Sequence, residues 1–204
     1  MDKRIFVRKR EQYRQEEEKL VEELFRSLSI PVKSAAIYQI YDLYSIEEEV
    51  LKRAEQSVFS EVMVNEVFEE LPLQKGFYFA YETLPAQFDQ RADSAMQCIR
   101  LLDQESKAFV RSGTLLVFDR VLNPSELEKI SKYLVNPIES QEKDMSILSF
   151  SPDAERKEMR DMSGFRRLSI EALAALKTEM NLSLLMEDLL FIQEFYREEE
   201  RDPS

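Results

Sequence analysis

The sequence predicts an α+β fold: two similar strand–helix–strand–helix–strand units and then a short all-helical region. Three observations carry this. Runs of β-type composition alternate with runs whose apolar residues recur at three- and four-residue spacing. The second set of elements trails the first by roughly 72 to 78 residues throughout, the mark of an internal repeat. After residue 150 the β-type runs stop and only helical patterns remain. The expected division is therefore a duplicated α+β domain over 1–150 and a helical linker domain over 151–204.

The first unit opens at 4–9, where Ile5 and Val7 alternate with charge in the manner of a short strand. Residues 12–28 read as a helix: Leu20, Leu24 and Leu28 recur every four residues, with Val21 and Phe25 widening the stripe, and Pro31 follows its end. Residues 33–44 are rich in Ile and Tyr and predict a longer strand. Ser45 and Glu48 are spaced as a capping box for a helix that places Ile46, Val50, Ala54 and Val58 on one face. Residues 59–68 follow as a strand on the alternation of Val62 and Val64.

The second unit repeats the order: strand 76–83, helix 87–103, strand 108–118, then Asn123-Pro-Ser-Glu126 as a second capping box, with Pro124 at the favoured first helical position. Leu127, Ile130 and Leu134 form the face of that helix, which stops at Asn136-Pro137, and a polar segment at 138–144 matches the last strand of the first unit. With every helix on one side of its sheet, a lone unit leaves the other side bare, so the expectation is that two units stack across a pseudo-two-fold.

Residues 145–151 read as a linker. A charged helix is expected over 153–161, and Ser163-Gly164 breaks it. Ser169 caps a helix carrying Ile170, Leu173 and Met180, and Ser183 caps another with Leu185, Leu189, Ile192 and Tyr196 as its stripe.

Composition narrows the chemistry. The chain has 204 residues, 40 of them acidic against 28 basic, for a net charge of −12. That argues against nucleic acid as a partner, because phosphate neutralisation needs clustered cations. There is no histidine, which argues against neutral-pH proton transfer, the usual zinc sites and Ser-His or Cys-His pairs. The lone cysteine, Cys98, sits within an apolar helical pattern and reads as a buried, inert thiol. One cysteine excludes an internal disulfide, which fits a reducing compartment. No apolar run reaches the roughly 20 residues of a membrane span, and Met1-Asp-Lys-Arg4 lacks a signal peptide's apolar core, so a cytoplasmic setting is expected. With 3 Gly, no glycine-rich phosphate loop is present. Glu187-Asp188 and the pair Asp89 and Asp93, one helical turn apart, are the best carboxylate pairs for a metal, but such pairs on helices are mostly solvated faces or caps.

The stretch that carries most information is Leu84-Pro-Ala-Gln-Phe-Asp-Gln-Arg-Ala-Asp-Ser-Ala95. Pro85 disfavours helical geometry at Leu84, so the strand stops there. Phe88, Ala92, Ala95, Met96 and Ile99 form an apolar stripe behind it, and Asp89 suits a helix start. Gln87, Gln90, Arg91 and Asp93 are more polar groups than a cap requires. They make this strand-to-helix junction the candidate contact site, with Arg91 as its anchor.

This stretch, followed by Gln97-Cys98, resembles the amino-terminal region of phosphoribosylformylglycinamidine synthase, the large glutamine amidotransferase of purine biosynthesis. The family usually has Gly where this chain has Ala86. The run from Met186 to Tyr196 and on to Pro203 is similar to the family's helical linker, and the two matches stand in the family's order. The resemblance implies a fused pair of the small S subunit followed by that linker. It implies no catalytic residue, cofactor or metal in this segment: ATP and Mg belong to the synthetase domain and the glutaminase lies at the far end of the enzyme. The role implied here is docking on those domains through Gln87, Asp89, Gln90, Arg91 and Asp93, and helping to shelter the ammonia route. The alternative expectations are a free-standing acidic cytosolic protein-binding module and a small enzyme that uses carboxylates alone.

Overall fold

The structure is a computed structural model that describes residues 1–85, 87–148, 162–180, 182 and 184–203. It divides into two compact units, Met1–Phe150 and Ser151–Ser204.

The first unit is mixed α+β. Its strands are β1 (Lys3–Lys9), β2 (Ala35–Tyr44), β3 (Asn65–Phe68), β4 (Tyr78–Thr83), β5 (Phe109–Phe118) and β6 (Ser140–Glu142), and its helices α1 (Gln15–Leu28), α2 (Glu48–Ser57), α3 (Gln90–Leu102) and α4 (Pro124–Leu134) alternate with them. All six strands join one antiparallel sheet in the order β3-β1-β2-β5-β4-β6. Read outward from the β2–β5 seam, the two halves have the same order, first–second–third strand as 2-1-3 on each side. The register repeats as well: Lys3 pairs with Leu43, and Tyr78 and Val117, shifted by 75 and 74 residues, pair likewise. Phe6 with Phe68 becomes Tyr81 with Glu142 under the same shifts.

The two halves thus sit edge to edge in one sheet, which corrects the expectation that they stack face to face. The reason is the length of β2 and β5. Ten paired residues, Ala35↔Phe118 to Tyr44↔Phe109, satisfy both central edges, and an unpaired edge is costly to leave open.

Side-chain alternation then assigns the two faces. Ile5 and Val7 of β1, Tyr41 and Leu43 of β2 and Val110 of β5 pack under α2 and α3 through Val50, Leu51, Ala54, Ala92, Ala95 and Ile99. Ala35, Phe79, Leu116 and Phe118 project from the same face, further along the sheet, under α1 and α4 through Leu20, Leu24 and Ile130. All four helices therefore cover one face. The other carries Phe6, Ile40, Ala80 and Leu115, covered by Leu71 and Leu73 of the 69–77 loop and by Met145.

Local departures from the sequence reading have local causes. Ser45 is not an N-cap: it takes a left-handed φ of 54°, and α2 starts at Glu48 behind Glu47. Met1 and Ile46 exchange two backbone hydrogen bonds of 2.8 and 3.1 Å, which prolongs the strand pairing and turns Ser45 away. The strand expected over 59–68 is only Asn65–Phe68, because the amides of Val64 and Asn65 both fold back on Glu61 O at 2.7 Å. Phe88 precedes the cap of α3 and is 74% exposed, rather than turned inward. Cys98 is exposed too, since the buried stripe runs through Ala92, Ala95 and Ile99.

Among the described residues the second unit is helical: a 3-10 turn at Phe165–Arg167, α5 (Ile170–Glu179) and α6 (Met186–Glu198). Phe165, Leu173 and Leu189 are its core. Ser169 caps α5 at Ala172 N, whereas the residue before α6 is Leu185. Ile170 and Leu185, expected on the apolar stripes, are exposed. The buried Gln193 amide donates to Phe165 O and Leu168 O at 2.9 and 3.0 Å. Asp202 accepts from the amides of Gly164 and Arg166, where Gly164 needs its positive φ of 88° to begin the turn. The helix expected over 153–161, Ser183 and Ala86 lie outside the described residues.

Candidate docking site

The junction after β4 is built by short-range bonds. Leu84 N donates to Glu139 O, and Gln87 N closes a turn onto Leu84 O, both at 2.9 Å. Asp89 then takes an extended backbone and its Oδ1 accepts from Ala92 N at 2.9 Å, so α3 starts behind it. The same carboxylate accepts from Ser112 N at 3.0 Å and Ser112 Oγ at 2.9 Å, tying α3 to β5.

The five candidate residues therefore divide. Asp89 is committed to the fold. Gln87 sends its side-chain amide to Ile138 O at 3.0 Å, and Asp93 accepts from Gln97 Nε2 at 2.7 Å. Gln90 and Arg91 are exposed, and Arg91 has no ion pair or hydrogen bond to another described side chain. Asp89 is engaged by Ala92 and Ser112, and among the described residues it forms no pair with Arg91.

Arg91 stands where three cavities of about 320, 420 and 290 Å³ meet on the helical face. Together they form a trough that runs from the start of α1 past the N-terminal half of α3. Gln39 and Tyr41 of β2 and Ser112 and Thr114 of β5 line it, and the Gln39 amide is held by Gly113 O. The other cations in the trough are engaged, Lys9 with Glu16 at 2.9 Å and Arg14 with Glu66 at 3.6 Å. Among the described residues this leaves Arg91 as the cation lining the trough that has no ion pair, three residues after the exposed Phe88.

A second polar cluster lies on the opposite face, and sequence reasoning missed it. Asp42 is fully buried, gripped by Arg4 through Nε and by Nη2 at 2.9 Å, with Lys143 Nζ at 2.8 Å from its Oδ2. Lys143 also pairs with Glu82, which accepts from Gln141 Nε2 at 3.1 Å and has Arg111 at 3.6 Å. Burial, followed by the Asp42 charge, pushes the neighbouring Tyr44 hydroxyl up to about 12. The one signal available in the sequence was an aspartate inside the apolar run Ile40-Tyr-Asp-Leu-Tyr44, because a charge amid a buried strand needs partners.

Among the described residues no group of three or more His, Cys, Asp or Glu side chains is placed to hold a metal ion, and no helix is long and apolar enough to cross a membrane. No model of a known protein family and no curated protein matches the chain.

Proposed function

We propose that this chain is the amino-terminal and linker portion of an enzyme resembling phosphoribosylformylglycinamidine synthase, and that it docks on the synthetase and glutaminase domains through the Arg91 trough. On this reading the two halves are a fused S-subunit-like pair, in keeping with their matching strand order and register. The observation that carries the proposal is the division of labour within the resembling stretch. Asp89 serves the fold, while Phe88, Gln90 and Arg91 are exposed and have no fold-building task that accounts for them. Arginine and exposed aromatic side chains are the residue types that interface anchors favour. ATP and Mg would act in the synthetase domain, in the cytoplasm, and this segment would shape the sheltered passage for ammonia.

The test is made in the full-length enzyme. Arg91→Ala should impair glutamine-dependent turnover more than turnover with free ammonia, because the two centres uncouple while the synthetase site survives. The melting temperature of the 1–204 segment should stay within about two degrees, as expected for a surface change under about 0.5 kcal/mol. Equal loss of both activities together with a lower melting temperature would assign Arg91 to folding alone. An open reading frame that stops at Ser204, with no catalytic partner encoded beside it, would favour the acidic binding module instead.

A further inference from the structure

We propose that residues 143–147 form an ionic latch, a strap that opens and closes over the helix-free face of the sheet independently of the strands beneath it. The strap leaves β6, with the Lys143 amide bonded to Ala80 O, and its side chains and carbonyls are held at three further points. Lys143 Nζ reaches the buried carboxylates of Asp42 and Glu82. Arg4 Nη1 donates to Met145 O at 2.6 Å, and Arg4 Nη2 donates to Ile147 O at 2.6 Å. One guanidinium from the first strand thus grips Asp42 with one edge and the outgoing chain, more than 140 residues later, with the rest.

Asp42 is the shared element. It accepts from Arg4 and from Lys143, so the three holding points are coupled and release together rather than one by one. The strap itself is stiffened by Asp144, whose carboxyl the Ser146 hydroxyl and amide hold below the usual carboxylate range. Met145 packs against the cluster of Phe6, Ile40, Ala80 and Leu115. Opening therefore lifts Met145 from that apolar cluster and uncovers two carboxylates.

A purely apolar strap would be a permanent clamp. Here closing strips water from Arg4, Lys143, Asp42 and Glu82, and the loss of hydration largely offsets the gain in pairing. The closed and open states are left close in free energy, the condition for a segment that moves on its own while the ladder stays intact. Beneath the strap, β2 and β5 are joined by ten residues of continuous backbone pairing.

Amide hydrogen exchange on the full chain tests this. The amides of Lys143, bonded to Ala80 O, and Ile147, bonded to Asp144 O, should exchange at least about tenfold faster than those of Ile40 and Leu115 in the central strands. Arg4→Ala should speed the strap amides about tenfold again and leave the central amides within about threefold. Lys143→Met should give the same pattern and carries the test if Arg4→Ala fails to fold. The latch is overturned if strap and central amides exchange at one common rate. It is equally overturned if either variant accelerates both sets to the same degree, since the pairs then belong to the cooperative fold.

Discussion

Asp42 and Tyr44 project from the same face of β2, and the Asp42 charge makes the Tyr44 hydroxyl harder to ionise. The Tyr44 hydroxyl, ordinarily near 10, is pushed up to about 12 by burial first and the Asp42 charge second, while Arg111 and Arg4 pull the other way. Below about pH 10 the hydroxyl is protonated in both folded and unfolded chains, so its titration gives stability no pH dependence there. Between about 10 and about 12 the unfolded chain releases the proton and the folded one keeps it, so stability falls as pH rises through that window, by about 2–3 kcal/mol in all. Absorbance at 295 nm should show one of the eight tyrosines ionising last and together with alkaline unfolding. Tyr44→Phe should remove that last step and move the alkaline midpoint upward. A wild-type titration in which every tyrosine ionises near pH 10 before unfolding begins would contradict this.

At the level of elements, the two helices that looked alike at their starts differ in what holds them. Asn123 accepts from Glu126 N and the Glu126 carboxylate accepts from Asn123 N, both at 3.0 Å, while Arg120 clamps Glu126 with two further bonds. Ser45 has no such role, since α2 begins beyond it. Asn123→Ala should therefore cost about 1 kcal/mol in denaturant unfolding. Ser45→Ala should cost less than about 0.5 kcal/mol, because a residue that caps nothing loses nothing when its hydroxyl goes. Equal losses at the two positions would mean that Ser45 caps α2 in solution.

For the whole molecule the decisive feature is the seam where β2, β5 and β4 meet. Gly113 lies in it, paired with Ile40 on one side and Glu82 on the other. A Cβ built there would stand 2.9 Å from the carbonyl oxygen of Tyr81, closer than side chains approach backbone. The requirement is thus for space between strands, not for an unusual φ. Gly113→Val should push β4 from β5 and destabilise the first unit by about 1–3 kcal/mol, lowering its melting temperature. It should spare the helical unit, whose core of Phe165, Leu173 and Leu189 is separate. A Gly113→Val chain that melts like the wild type would show the seam to be looser than this geometry.

Much of the architecture was determined by the sequence alone, because alternation and helical spacing are local properties of a chain. The order of strands and helices, the Asn123 box and the Ser169 cap were all legible there. So was the junction at Leu84–Ala95 as a place with surplus polar groups. Only the tertiary structure decided the rest. That the halves join edge to edge follows from which edges find each other, and no residue pattern within one half specifies it. That Asp89 serves the fold while Arg91 stays open depends on Ser112, 23 residues away. The ionic cluster joins Arg4, Asp42, Glu82 and Lys143 from four parts of the chain. Burial and pairing arise only when distant segments meet, so an isolated charge in a sequence does not say whether water or a partner will satisfy it.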